Sequence, residues 1–316
     1  MDIVFCLDRR MLDGLHVVAY SLLENSCASA DDVQFHIFSD DLTEEDLEML
    51  QETLCPLNKG FEVQLYRIDS ERFNTFPSLN ESLATYYRLL VPHLLDLERF
   101  LYLDVDMLCR TNLAPLFEED LGDCPVGMVP EALVGNCIDS TVRNLLNEVP
   151  EDHPYFNAGV LLVDAIKWKE EGLTEKCLTF VSEHQPQFHD QSAMNYILRN
   201  RIKPLPEQYN VHTNGRRWWP CLKAPTRGKG CHLHFVDYPK PWDPASRFFH
   251  PMGTLWHRYF RKTALYGTSQ AREIRDMRKP QLNKRLFKSY QKSAKDALLF
   301  GLYSASIVKR VKGIPE

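Results

Sequence analysis

The chain has 316 residues, 44% of them hydrophobic and 25% charged, apolar material for one large core or two modest ones, which excludes disorder as the default reading. No apolar run approaches the roughly 20 residues that cross a bilayer, and "MDIVFCLDRR" offers only five apolar residues between charges, so neither a transmembrane helix nor a signal peptide is expected. The net charge of -6 hides a division: residues 258–316 carry 15 Lys and Arg against four Asp and Glu, a net +11, which leaves -17 on residues 1–257 and argues against nucleic acid as a partner of the body. Nine cysteines, odd in number and without a C-x-x-C pair, suggest reduced thiols in a cytoplasmic protein, with neither a zinc site nor a disulfide framework.

Residues 2–7 (DIVFCL) read as a buried strand, followed by apolar residues at helical spacing, Leu15, Val18, Leu22 and Leu23. Val33 to Phe38 repeats the pattern, with Thr43 as the expected N-cap of the helix after it. A third strand, 61–68, precedes a helical stretch at 82–95, and a fourth ends in "RFLYLDVDMLCR", 99–110. Strands alternating with helices imply a mostly parallel sheet covered on both faces, with ligands at the carboxyl ends of its strands. Strands at 125–129 and 155–164 follow, separated by a loop-rich stretch. Two helical segments come next, at 165–184 and 190–200, then a short strand at 231–237. From Trp256 the chain turns basic and helical, so the expected organisation is a catalytic domain, 1–255, and an extension, 256–316.

Asp104 and Asp106 end an apolar strand at the place where an α/β sheet presents its ligand. If the strand continued one step, their side chains would share a face. Two adjacent hard oxygen donors suit Mg²⁺ or Mn²⁺ and, through the ion, a diphosphate. A strand followed by Asp-x-Asp also opens haloacid-dehalogenase-type phosphatases. Those carry Thr or Val where this chain has Leu108, and they place the pair on the first strand.

"FLYLDVDMLCRTNLAPLFEEDLG", "YFNAGVLLVD", "HDQSAMNYIL" and "HFVDYPKPW", in this order, resemble glycosyltransferase family 8, especially the bacterial lipopolysaccharide and lipooligosaccharide galactosyl- and glucosyltransferases, over residues 1 to about 245. The resemblance implies a GT-A fold and transfer of a hexose from a UDP-sugar to a glycan or glycolipid, with retention of configuration and with Mn²⁺ as cofactor, Mg²⁺ being the alternative. It makes Asp104, Asp106 and His234 the metal ligands. Lys240, between Pro239 and Pro241, would offset charge on the departing UDP, and Arg88 would meet phosphate and sugar oxygens. Asn157 would bond the transferred sugar, Gly159 would allow close backbone approach, and Asp190 would grip sugar hydroxyls unless it is a helix N-cap. Gln191 would lie beneath the anomeric carbon. An amide is a poor nucleophile, so the resemblance favours front-face transfer over double displacement. Glu131 is the reserve candidate for a covalent step or an acceptor contact.

Asp8 occupies the family's uracil-recognising position. Its neighbours Cys6, Leu7, Arg9, Arg10 and Met11 depart from the usual pattern and open a charged sugar nucleotide as an alternative donor. The tail, with a 12-residue apolar run at 297–308, reads as an interfacial helix on an anionic membrane surface or as a solvated or packed helix. A catalytically idle nucleotide-sugar-binding protein is the non-enzymatic alternative.

Overall fold

The computed structural model describes residues 1–26, 33–78, 82–145, 149–213, 230–236, 240–242 and 253–266. The first elements keep the alternation expected of them: β1 (Asp2–Cys6), α1 (Leu12–Ser26), β2 (Val33–Ser39), α2 (Glu44–Leu54) and β3 (Phe61–Arg67). Thr43 begins α2 through a reciprocal cap, its hydroxyl accepting from Asp46 N–H while the Asp46 carboxylate accepts from Thr43 N–H. Next come α3 (Tyr87–Leu94), β4 (Arg99–Leu103), β5 (Met107–Leu108), α4 (Ala114–Phe117), β6 (Val126–Leu133), α5 (Ser140–Leu145) and β7 (Pro154–Asp164). The described chain continues through α6 (Ala165–Glu170), α7 (Leu173–His184), α8 (His189–Ile197), β8 (Ile202–Pro204), β9 (Val211–His212), β10 (Leu233–His234) and α9 (Gly253–Phe260).

The main sheet has the order β3-β2-β1-β4-β7-β6-β8. β1, β2, β3 and β4 are mutually parallel where they pair, and β6 and β8 are parallel, while β7 runs antiparallel to both of its neighbours. Alternate side chains of β1 feed two cores. Ile3 and Phe5 pack with α1, α2 and α9 on one face, and Val4 and Cys6 pack with α3, α6, α7 and α8 on the other. Burial on both faces explains why β1 and β4 are almost continuously apolar, whereas the edge strand β3 alternates with a period of two. The chain progresses outward from β1 through β2 to β3 and then returns to place β4 on the other side of β1. That reversal opens a crevice at the ends of β1 and β4, where Asp8 and Asp104 emerge. A second sheet, β5-β10-β9, follows the Asp104–Asp106 turn and pairs His234 with Met107.

Four local expectations change. β4 stops at Leu103 and residues 104–106 turn into β5, so the two aspartates do not continue a strand. The helical segment at 165–184 is two helices, divided where Gly172 takes φ of +60°, a left-handed conformation open to glycine. The stretch between the strands at 125–129 and 155–164 carries more structure than a loop, because β6 runs on to Leu133 and α5 follows it. The 231–237 strand is confined to Leu233–His234 among the described residues.

Helix α9 and its core contacts run across the expected 255/256 boundary. Trp256 and Phe260 are fully buried, their rings stacked with centroids 5.0 Å apart, and both lie in the same core as α1. Residues 267–316, with the basic tail and the apolar run proposed for a membrane surface, lie outside the described residues, and no helix among the described residues is long and apolar enough to cross a membrane. Emptying the Trp256 site should be costly, since a buried aromatic leaves both a transfer loss and a cavity. Trp256→Ala is expected to lower unfolding free energy by about 3–5 kcal/mol in a urea titration; a loss under about 1 kcal/mol, the range of a surface change, would show that α9 is not part of the body.

Candidate active site

β4 delivers Asp104 and Asp106 to the crevice, and β10 delivers His234. The ladder holds them together: His234 pairs with Met107, and Phe235 N–H donates to Asp106 O at 2.9 Å. Asp104 Oδ2 lies 3.5 Å and Asp106 Oδ1 3.0 Å from His234 Nε2, and the three donor atoms lie within 4.8 Å of one another. The outer oxygens are held elsewhere. Asp104 Oδ1 accepts from Tyr102 Oη at 2.6 Å and meets Arg88 Nη1 at 3.2 Å, while Asp106 Oδ2 accepts from Lys240 Nζ at 2.6 Å. Each carboxylate thus has one oxygen neutralised from behind and one turned inward, a donor set of two hard oxygens and an imidazole nitrogen that suits a divalent ion.

The charges hold one another in place. Burial pushes the Asp106 carboxyl up, but Lys240 and then His234 outweigh it and hold it well below the carboxylate range. Burial disfavours the His234 imidazolium, yet Asp106 and Asp104 more than compensate and raise its pKa. Arg88 has only 8% of its side chain exposed and stands behind the site, not on a helix surface. Its Nη1 donates to Ala158 O at 2.7 Å, its Nε to Thr85 O at 3.1 Å, and its guanidinium covers the Tyr102 ring at 4.3 Å. Asp190 is buried beside it, with Oδ2 3.1 Å from Arg88 Nε and Oδ1 accepting from the Thr85 hydroxyl. Asp190 is not the N-cap of α8; Phe188 occupies that position, and Asp190 sits in the first turn.

A second cluster adjoins the first. The register of β6 against β7 slips between Met128 and Val129, and the amides of Ala158 and Gly159 turn to side chains there. Ala158 N–H donates to Gln191 Oε1 at 3.0 Å, and Gly159 N–H donates to Asn157 Oδ1 at 2.8 Å. Asn157 Nδ2 reaches Gln191 Oε1 and Glu131 Oε2, both at 3.2 Å, and Gln191 Nε2 donates to Tyr155 Oη at 3.2 Å and to Glu131 Oε2 at 3.4 Å. Gln191, Glu131 and Asn157 therefore form one unit beside Asp104, Asp106 and His234. A Cβ on Gly159 would fall 2.3 Å from His234 Cε1, so the missing side chain makes room for the imidazole. Asp8 stands apart at the end of β1, where Oδ1 caps the following turn through Arg10 N–H and Oδ2 pairs with Arg10 Nη2 at 2.8 Å. Burial pushes its carboxyl up, but the bonds from Arg10 and Ser82 prevail and lower its pKa.

Sequence reading missed Tyr102, Thr85, Tyr155, Asn210 and Gly14. Asn210 Oδ1 lies 2.8 Å from His234 Nδ1. Gly14, inside α1, admits the carbonyl of Val105, which a Cβ would approach to 2.6 Å, and so lets the helix close on the Asp104–Asp106 turn. An isolated glycine in a helical pattern, which costs about 1 kcal/mol relative to alanine, was the available signal for Gly14.

The model of glycosyl transferase family 8 matches residues 2–245. The chain is similar to general stress protein A of Bacillus subtilis (strain 168), 25% identical over 284 residues that span 81% of this chain and 95% of that protein. It is similar as well to the lipopolysaccharide 1,3-galactosyltransferase of Salmonella typhimurium, 26% identical over 264 residues, 78% of this chain and 76% of that one. Among solved structures, the galactosyltransferase LgtC in complex with donor and acceptor sugar analogs shares the fold with a TM-score of 0.69 at 22% identity, over 83% of this chain and 96% of its own.

Gly159→Ala tests the geometry directly. It is expected to weaken binding of a divalent ion, read with Mn²⁺ by electron paramagnetic resonance, by at least about tenfold, the scale of a displaced ligand or supporting contact. Unchanged affinity would mean that the His234 ring is not a ligand.

Proposed function

The chain belongs to glycosyl transferase family 8 and is a glycosyltransferase, and we propose that it moves a hexose, galactose or glucose, from a UDP-sugar to a glycan or glycolipid acceptor with retention of anomeric configuration. The observation that carries this reading is the convergence of Asp104 Oδ2, Asp106 Oδ1 and His234 Nε2 at the crevice beside β1 and β4. These residues would hold Mn²⁺, or Mg²⁺ as the alternative, which supplies Lewis-acid stabilisation of the donor diphosphate.

The chain's own residues do the rest. Lys240 sits on the floor of the site with its ammonium 2.6 Å from Asp106 Oδ2, placed to offset negative charge as UDP leaves. Arg88 fixes Asp104 and Asp190 in orientation and adds positive potential beneath the phosphates. Asp8 accepts from the uracil N–H after the Arg10 guanidinium yields its place, and a charged donor would have to draw Arg10 from Asp8 or Arg9 from Asp46, each now 2.8 Å from its partner. Asn157 and Asp190 bond the transferred sugar, while Gln191, oriented by Ala158 N–H, presents its amide beneath the anomeric carbon. A neutral amide stabilises positive charge there without forming a lasting bond, so the acceptor attacks on the face that UDP leaves and the departing phosphate takes its proton. Glu131, bonded to both Asn157 and Gln191, is the reserve candidate for an acceptor contact or a covalent step. The basic tail suits an acceptor on an anionic membrane, and we place the reaction on the cytoplasmic face.

A nucleotide-sugar hydrolysis screen with and without Mn²⁺, with the anomer followed by NMR, tests the assignment. UDP-galactose or UDP-glucose should be consumed only with a divalent ion, and the released sugar should keep the donor's configuration. Phosphate release from simple esters would support the phosphatase alternative, and donor binding without any turnover would support an idle binding protein. Gln191→Ala and Glu131→Gln, assayed separately, are each expected to lower turnover by at least about tenfold, the lower end of what a contact made in the transition state contributes. Near-normal rates in both would remove both residues from the mechanism.

A further inference from the structure

The amides linking the two clusters have only one consistent arrangement, because the network ends in groups of fixed polarity. Gly159 N–H only donates, and at 2.8 Å it identifies the Asn157 atom beside it as oxygen. Asn157 Nδ2 must then face acceptors, and it meets Glu131 Oε2 and Gln191 Oε1. Asn210 Nδ2 donates to the same Asn157 Oδ1 at 2.8 Å, which leaves Asn210 Oδ1 turned to His234 Nδ1, also at 2.8 Å. An amide oxygen only accepts, so Nδ1 carries a proton; Nε2 faces Asp106 Oδ1 at 3.0 Å and Asp104 Oδ2 at 3.5 Å, which also only accept, so its lone pair would be presented where a divalent ion stands between them. An imidazole free in water favours the other tautomer.

The ring has little freedom to escape this assignment. Its edge rests on the bare Cα of Gly159, His212 meets it edge-on with centroids 5.4 Å apart, and Asn210 is only 6% exposed, so water does not compete for its carbonyl. We propose that Asn210 is a positioning residue that sets the tautomer and orientation of His234 for a divalent ion, and that Asn157 ties this setting to Gln191 and Glu131. The inference rests on the reading of Asp104, Asp106 and His234 as a metal centre and names the residue that prepares it. A single amide chain then connects the ion to the group beneath the transferred sugar, so a change in Gln191 reaches the imidazole through Asn157 and Asn210.

Long-range ¹H–¹⁵N spectra of the full-length protein, recorded with saturating diamagnetic Mg²⁺, together with Mn²⁺ titration by electron paramagnetic resonance, test it. The wild type should show His234 protonated on Nδ1. Asn210→Leu, which keeps the volume and removes the acceptor, should lose that tautomer preference and bind Mn²⁺ about 10- to 100-fold more weakly. Asn210→Asp, which can only accept, should keep the proton on Nδ1, and it carries the comparison if the Leu variant does not fold. A folded Asn210→Leu protein with the wild-type tautomer and affinity, or wild type with its proton on Nε2, overturns the proposal. Wild type that shows Nδ1–H yet binds no divalent ion overturns the metal reading and leaves the Asn210 assignment standing.

Discussion

Two carboxylates brought two residues apart into a largely buried crevice repel each other and resist desolvation, and the surrounding structure is organised around that tension. Arg88 and Tyr102 take the outer oxygen of Asp104, and Lys240 takes the outer oxygen of Asp106, so the negative charge is balanced from behind while the inner oxygens stay directed at His234. Buried ion pairs of this kind are poor sources of stability, because the Coulomb gain is set against the removal of both charges from water. What they provide is direction: each group has one orientation that satisfies its partners, and all of those orientations converge on one point.

The sheet supplies the scaffold for this directionality. β1 and β4 bring Asp8 and Asp104 to the same end of the fold, and the slip of β6 against β7 releases two consecutive amides to orient Asn157 and Gln191. Two glycines permit the required close approaches, Gly14 under the Asp104–Asp106 turn and Gly159 against the imidazole. Short turns and a helix anchored at the ends of rigid strands hold these groups, which suits a site where an error of an ångström matters to the chemistry.

Much of this was legible in the sequence, for identifiable reasons. The first β-α units announced themselves because strands buried on both faces need unbroken apolar runs, and Thr43 with acidic residues after it marked a helix start. The aspartate pair stood out because carboxylates rarely follow such a run without a partner. The turn after Leu103 was not legible, since Val105 and Met107 extend the apolar pattern through it. β5, β8 and β9 are two or three residues long, too short for any period to register, whereas β10 was read as a strand, only longer than it is. Asn210 carries no local signal at all; its significance arises from a tertiary contact with a histidine 24 positions away. The Arg10 guanidinium that closes on Asp8 was visible as a charge but not as a partner, because pairing two residues apart depends on the turn they share.

The order in which the ribosome delivers the parts has a consequence of its own. Asp106 and Lys240 are 134 positions apart, an interval of roughly 7 to 27 seconds at ordinary rates of translation. For most of that interval a nascent chain whose β1 and β4 have paired holds Asp104 against Arg88 and Tyr102, while the ammonium and the imidazole that meet Asp106 are not yet made. The crevice can acquire its full set of charges only after the strand bearing His234 docks onto Met107 and Leu108 and Lys240 reaches Asp106, so this cluster is completed late in synthesis, long after the sheet that carries it.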